Sequence, residues 1–170
     1  MSEPRTNIVL IGMPAVGKST IGVLLAKATG RDFLDTDVAL QARAGRRLGQ
    51  IIDADGIDAF SRLEEQSILA LEVRGHVIAT GGSAVYSEAV MAHLAATGPV
   101  VHLDLPLGRI AERIGSLHAR GVVIAPGQTL ADLYRRRQPP YRRHADLTVA
   151  CEGKTQDQIV AEVVAALPGG

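Results

Sequence analysis

Apolar residues along this chain fall into short blocks separated by longer stretches in which they recur every three or four positions. Asn7–Ile11, Phe33–Asp35, Val77–Ala79, Val100–Leu103 and Asp146–Ala150 are the short blocks, and they predict five buried strands. Lys18–Thr29 carries Ile21, Leu24, Leu25 and Ala28 on one helical face and stops at Gly30. Further helices are predicted over Val38–Ala44, Leu48–Asp53, Ala59–Arg74 and Leu107–Ile114. Another runs from a Ser87 cap through Ala96, and the last covers Gln156–Ala166. Strands alternating with helices imply an α/β fold, a parallel sheet covered on both faces. The Arg-rich stretch Tyr134–Arg143 is read as helical in direction, without assigned ends. Ser116–Gln128 lacks periodicity and holds Gly121, Pro126 and Gly127; a loop of that length in a compact domain points to a lid, placed at about 115–128.

Composition narrows the function more by exclusion than by assertion. The 170 residues are expected to form one domain, 1–170. Lys+Arg and Asp+Glu both number 18, so no global field draws the chain to nucleic acid or an anionic membrane. Cys151 is the sole cysteine, and the five histidines show no metal-ligand spacing. No apolar run approaches the roughly 20 residues of a membrane span. A cytoplasmic monomer acting on a small molecule, without nucleic-acid or membrane partners, is the expectation.

The strongest chemical signal is Gly12-Met13-Pro14-Ala15-Val16-Gly17-Lys18-Ser19, a full match to G-x-x-x-x-G-K-[ST] between a predicted strand and a predicted helix. Three fixed residues and one two-way choice arise by chance about once in 80,000 windows. Gly12 and Gly17 let backbone approach phosphate closely. The N–H groups of Ala15, Val16 and their neighbours, with the helix N-terminus, offer fixed positive potential. Lys18 supplies a point charge to the β/γ-phosphates of ATP. Ser19, followed by Thr20, can ligate Mg²⁺. No N-K-x-D guanine motif accompanies the loop.

The acceptor side is read from the residues just past the second strand. Asp35-Thr36-Asp37 lies where open α/β sheets bind ligands. One carboxylate there can hold Mg²⁺ through water, assigned to Asp35. The other, Asp37, can accept the proton of an attacking hydroxyl. The competing reading makes Asp37 merely the cap of a helix beginning at Val38. Thr80-Gly81-Gly82-Ser83 ends the third strand and can present bare backbone N–H groups to a ligand. Arg135, Arg136 and Arg137 point about 100° apart on a helix and cannot share one target. One arginine pinned by Pro139-Pro140 could clamp an anionic substrate.

Together these residues resemble the shikimate kinase family over nearly the whole chain. The likeness rests on the phosphate loop with Lys18-Ser19-Thr20, the Leu34-Asp35-Thr36-Asp37 strand end, Phe60 followed by Glu64, Gly81-Gly82, and Arg137-x-Pro-x-Tyr141. It implies a three-layer P-loop kinase fold, with a five-stranded parallel sheet of order 2-3-1-4-5, a lid, and an acceptor-binding helical segment at about 37–74. It implies transfer from ATP, with Mg²⁺, to the 3-hydroxyl of shikimate. Asp37 would then hold substrate hydroxyls, the backbone at Gly81 and Gly82 would touch substrate, and Arg137 would pair with the carboxylate. Arg113 would lie near adenine, Arg120 would close over the phosphates, and Glu152–Gln156 would line the base.

Three positions depart from the family pattern. Family F-R-x-x-E is here Phe60-Ser61-Arg62-Leu63-Glu64, so Ser61 stands where an arginine binds the carboxylate. Arg62 is one residue on, rotated about 100°. A triple glycine becomes Gly81-Gly82-Ser83, and Arg120 is followed by Gly121-Val122-Val123 instead of Pro-Leu. Two of the changes concern the acceptor and none touches the phosphate loop. A different small polyol or hydroxy acid is therefore the alternative acceptor, with a non-catalytic ATP-binding regulator as a third reading.

Overall fold

A computed structural model describes residues 6–115, 122 and 124–168. Five strands make one parallel sheet: β1 (Ile8–Ile11), β2 (Asp32–Asp35), β3 (His76–Ala79), β4 (Val100–Asp104) and β5 (Leu147–Ala150). Their order is β2-β3-β1-β4-β5, as the resemblance implied. Val9 of β1 pairs with Ile78 on one side and Val100 on the other. All four β1 side chains are buried, as a central strand covered on both faces requires.

Helices α1 (Lys18–Thr29), α2 (Thr36–Ala44), α3 (Leu48–Asp55), α4 (Ile57–Leu69), α5 (Glu88–Ala95), α6 (Leu107–Arg113), α7 (Leu130–His144) and α8 (Gln156–Ala166) complete the described residues, with a 3₁₀ turn at Ala84–Tyr86. Helices α1 and α8 have the bounds the periodicity predicts, and Ser87 caps α5 by accepting from the Val90 N–H.

Two expectations change. The helix read to Arg74 ends at Leu69. Beyond it Leu71 and Val73, two positions apart, pack against the core, and the Asn7 amide ties this stretch down by donating to the Val73 carbonyl (2.8 Å) and accepting from the His76 N–H (2.9 Å). The 15-residue α7 had no assigned ends because Pro139 and Pro140 lie inside it. Its N-terminus is set by a capping box in which Thr129 and Asp132 exchange hydrogen bonds.

A main core fills both sides of the sheet, and a smaller cluster of Leu40, Leu48, Ile51 and Phe60 joins α2, α3 and α4. That second cluster fixes α4, and hence Glu64, relative to the end of β2.

Candidate active site

The loop between β1 and α1 is shaped by backbone strain and close approach. Gly12 has φ 152°, and a Cβ there would sit 2.6 Å from the Leu103 carbonyl oxygen. Ala15 adopts φ 66°, a conformation uncommon outside glycine, at the loop crest. Lys18 is 9% exposed, and its Nζ donates to the carbonyls of Gly12 (2.6 Å) and Met13 (2.9 Å). The ammonium is thus held against the loop. Burial, with repulsion from Arg137, lowers its pKa to about 8 against the pull of Asp37, so it stays largely charged at neutral pH.

Asp35 is the N-cap of α2. One oxygen accepts from the N–H groups of Asp37 (2.9 Å) and Val38 (3.1 Å), and the other accepts from the Ser19 hydroxyl at 2.5 Å. The helix therefore starts at Thr36 with Asp35 as its cap, so the competing reading of Asp37 as the cap of a helix from Val38 does not hold. Asp37 faces inward from the first turn. Burial, then the neighbouring Asp35, raises its pKa to about 6, against the pull of Lys18 and Arg137.

The end of β3 meets this group. A Cβ on Gly81 would lie 2.7 Å from Asp37 Oδ1 and 2.7 Å from Glu64 Oε2, so both carboxylates face the same bare backbone. A Cβ on Gly82 would collide with Arg137 Nη1. A side chain at either position would push these charged groups away from the turn. Glu64 is 6% exposed, accepts the Ser83 hydroxyl at 2.6 Å, and has its pKa raised by burial to about 7. Arg137, 1% exposed, donates Nε to the Tyr86 hydroxyl (3.1 Å). Four residues on, Tyr141 donates its hydroxyl to the Gly82 carbonyl (3.1 Å) and stacks on His102 with ring centroids 4.9 Å apart. The R-x-P-x-Y spacing works because i and i+4 share one face of α7.

A cavity of ≈310 Å³ gathers Ala15, Gly17, Lys18, Ser19, Thr20, Asp35, Asp37, Glu64, Gly81, Gly82, Ser83 and Arg137. Gly12 and Val16 are buried in the loop and do not line the cavity, and Arg113 donates to the Val16 carbonyl at 3.5 Å. Gln156 is exposed at the start of α8. Ser61 and Arg62 are exposed and do not line this cavity; Ser61 lines a second one beside it. Arg120 and most of the stretch read as a lid lie outside the described residues, although Val122 lines the cavity. In the sequence Glu64 stands out only as a family marker, and Ser83 only as a departure; both belong to the site.

The donor set suits Mg²⁺. Ser19 and Asp35 bring two hard oxygen donors together beside the phosphate loop. Among the described residues no three His, Cys, Asp or Glu side chains form a metal-binding group, so phosphate oxygens and water would complete the shell, as this ion prefers.

A parallel sheet of this order, a phosphate loop with its lysine, and an ionisable carboxylate across the cavity define a P-loop kinase for a small hydroxylated molecule. Residues 14–168 match the family model for shikimate kinase. Shikimate kinase from Pasteurella multocida is 37% identical over 168 residues, spanning 96% of this chain and 95% of that one. Its counterpart from Mycobacterium avium is 39% identical over 165 residues, spanning 94% and 92%. The solved structure of shikimate kinase from Acinetobacter baumannii in complex with shikimate is similar at TM-score 0.87 and 28% identity, covering 94% of this chain and 91% of that one. This chain belongs to the shikimate kinase family and is an ATP-dependent kinase that phosphorylates a hydroxyl group. No described helix is long and apolar enough to cross a membrane.

Proposed function

We propose that this chain transfers the γ-phosphoryl group of ATP to the 3-hydroxyl of shikimate, acting as a cytoplasmic monomer in which residues 1–170 form one domain. One observation carries this reading: Lys18, Asp37 and Arg137 converge on a single cavity from three separate elements. Arg137 offers the one buried guanidinium among the described residues, suited to a carboxylate. Asp37 stands beside the Gly81-Gly82 backbone, where it orients the attacking hydroxyl and takes its proton. A pKa of about 6 leaves it ionised at neutral pH yet more basic than an ordinary aspartate. Lys18 meets the charge that develops on the transferred group. Mg²⁺, when bound at Ser19 and Asp35, adds charge neutralisation at the phosphates. The acceptor-binding segment is about residues 37–74.

The test is ADP release coupled to NADH oxidation, with Mg²⁺–ATP and shikimate, and phosphorus NMR of the product. Shikimate-dependent ADP release with a new phosphomonoester on the 3-oxygen is expected. ADP release indifferent to shikimate would overturn the proposal.

A further inference from the structure

Tyr86 closes the 3₁₀ turn that follows Gly81-Gly82-Ser83. Its neighbours in that turn, Ala84 and Val85, are buried in the main core, and its N–H donates to the Ser83 carbonyl (3.1 Å). Ser87, the next residue, caps α5. The backbone under Tyr86 is thus anchored on both sides, although its side chain is exposed and lines the second cavity with Ser61. Two arginines of α7 converge on that side chain. The guanidinium carbon of Arg136 lies 4.9 Å from the ring centroid and that of Arg137 lies 5.5 Å from it, both within cation–π range. Consecutive residues diverge by about 100° on a helix, yet these two long side chains reach one ring. Arg137 adds a hydrogen bond, its Nε donating to the Tyr86 hydroxyl at 3.1 Å.

Resting on the assignment of Arg137 to the acceptor's carboxylate, we infer that Tyr86 is a positioning residue of the acceptor site. It holds the Arg137 guanidinium by Nε and by its ring, and so keeps the Nη atoms at the cavity wall. Arg137 lines the acceptor cavity and Tyr86 does not, so Tyr86 acts through the arginine. Nη1 is the atom that a Cβ on Gly82 would strike, which places it against the glycine turn. The guanidinium is planar, so fixing Nε against a ring fixes the plane in which the Nη donors point. The same turn is tied to α7 a second time, where the Tyr141 hydroxyl donates to the Gly82 carbonyl. These two bonds, at Gly82 and at Tyr86, set the arginine relative to the turn. Much depends on that aim. Lys18 and Arg137 are the cations among the described residues of the acceptor cavity, and Lys18 is held at the phosphate loop by the Gly12 and Met13 carbonyls.

The experiment compares wild-type enzyme with Tyr86→Phe, which keeps the ring and removes only the hydroxyl, and with Tyr86→Leu, which removes both. Steady-state kinetics gives kcat and KM for shikimate and ATP. Calorimetry gives Kd for shikimate and for the alcohol in which a hydroxymethyl group replaces its carboxylate. Tyr86→Phe should raise KM and Kd for shikimate about three- to tenfold, and Tyr86→Leu should raise them further. The KM for ATP, kcat and the Kd of the alcohol should each stay within about twofold, a split that general loosening of the fold would not produce. An unmoved KM for shikimate, or an equal rise for ATP or for the alcohol, would overturn the positioning role. Wild-type enzyme that binds the alcohol as tightly as shikimate would instead overturn the assignment of Arg137 to the carboxylate. Absence of shikimate turnover by wild-type enzyme would overturn the functional reading itself.

Discussion

Replacing Asp37 by Asn should inactivate the enzyme and stabilise it at the same time. The carboxylate titrates at about 6, raised by burial and by Asp35 from an ordinary value near 4. Two units correspond to about 3 kcal/mol. Asp37 is partly exposed, and solvent screening reduces the expected gain to about 1–2 kcal/mol. Between pH 4 and 6 the native protein holds this proton after the unfolded chain has lost it, so native stability falls as pH rises through that window and stays lowered above it. An amide escapes the penalty. The variant should therefore be more stable at pH 7.5, with a urea midpoint higher by roughly 0.5–1 M. The advantage should vanish below pH 4. In parallel, wild-type kcat/KM should decline as pH falls through about 6, when the base becomes protonated, and Asp37→Asn should lose about 10²–10⁴-fold in kcat with ATP affinity retained. Urea unfolding at pH 7.5 and 4.0 and single-turnover kinetics check both halves. An Asn variant less stable than wild type at pH 7.5, or one with near-normal kcat, would refute the argument.

The same geometry predicts the outcome of three further substitutions. Lys18→Ala should fold, as judged by circular dichroism, and lose at least about 10²–10³-fold in kcat, because the proposed function has this ammonium meet the phosphate charge. Gly82→Ala places a methyl group against Arg137 Nη1; the KM for shikimate should rise about tenfold or more while that for ATP barely moves, a split that steady-state kinetics reads directly. Ser61→Arg should fill the second cavity and add a cation near the Arg137 end of the site, lowering the KM for shikimate by roughly 10- to 100-fold; an unchanged KM would show that position 61 does not reach the acceptor.

What the sequence made legible was local. The phosphate loop is contiguous, so its strand, glycines and helix are written in order, and α1 has the predicted bounds. Asp35 and Asp37 lie within three residues, and proximity to the strand end was enough to place both in the cavity. The helix start was read two residues late, at Val38 instead of Thr36, because its cap, Asp35, is also the last residue of β2. Helix α7 was obscured because Pro139 and Pro140 each remove a backbone donor, while the signals that favour it, the Thr129–Asp132 box and the Arg137–Tyr141 spacing, are short.

The acceptor side was the least legible because its meaning lies in contacts between distant segments. Ser83 reads as a crowded glycine turn until its hydroxyl is seen on Glu64, nineteen residues earlier. Glu64 stands out in the sequence only as a family marker, and its place in the site shows once it proves to be 6% exposed and aimed at Gly81. Three carboxylates, Asp35, Asp37 and Glu64, share the cavity with Lys18 and Arg137. Burial raises Asp37 and Glu64 and lowers Lys18, so each of these three is held at a cost in its charged form. A core built only for stability would not keep such a set together. Opposed shifts of this kind, in groups on α1, α2 and α4 that meet in one cavity, are what the proposed proton and phosphoryl chemistry would require of them.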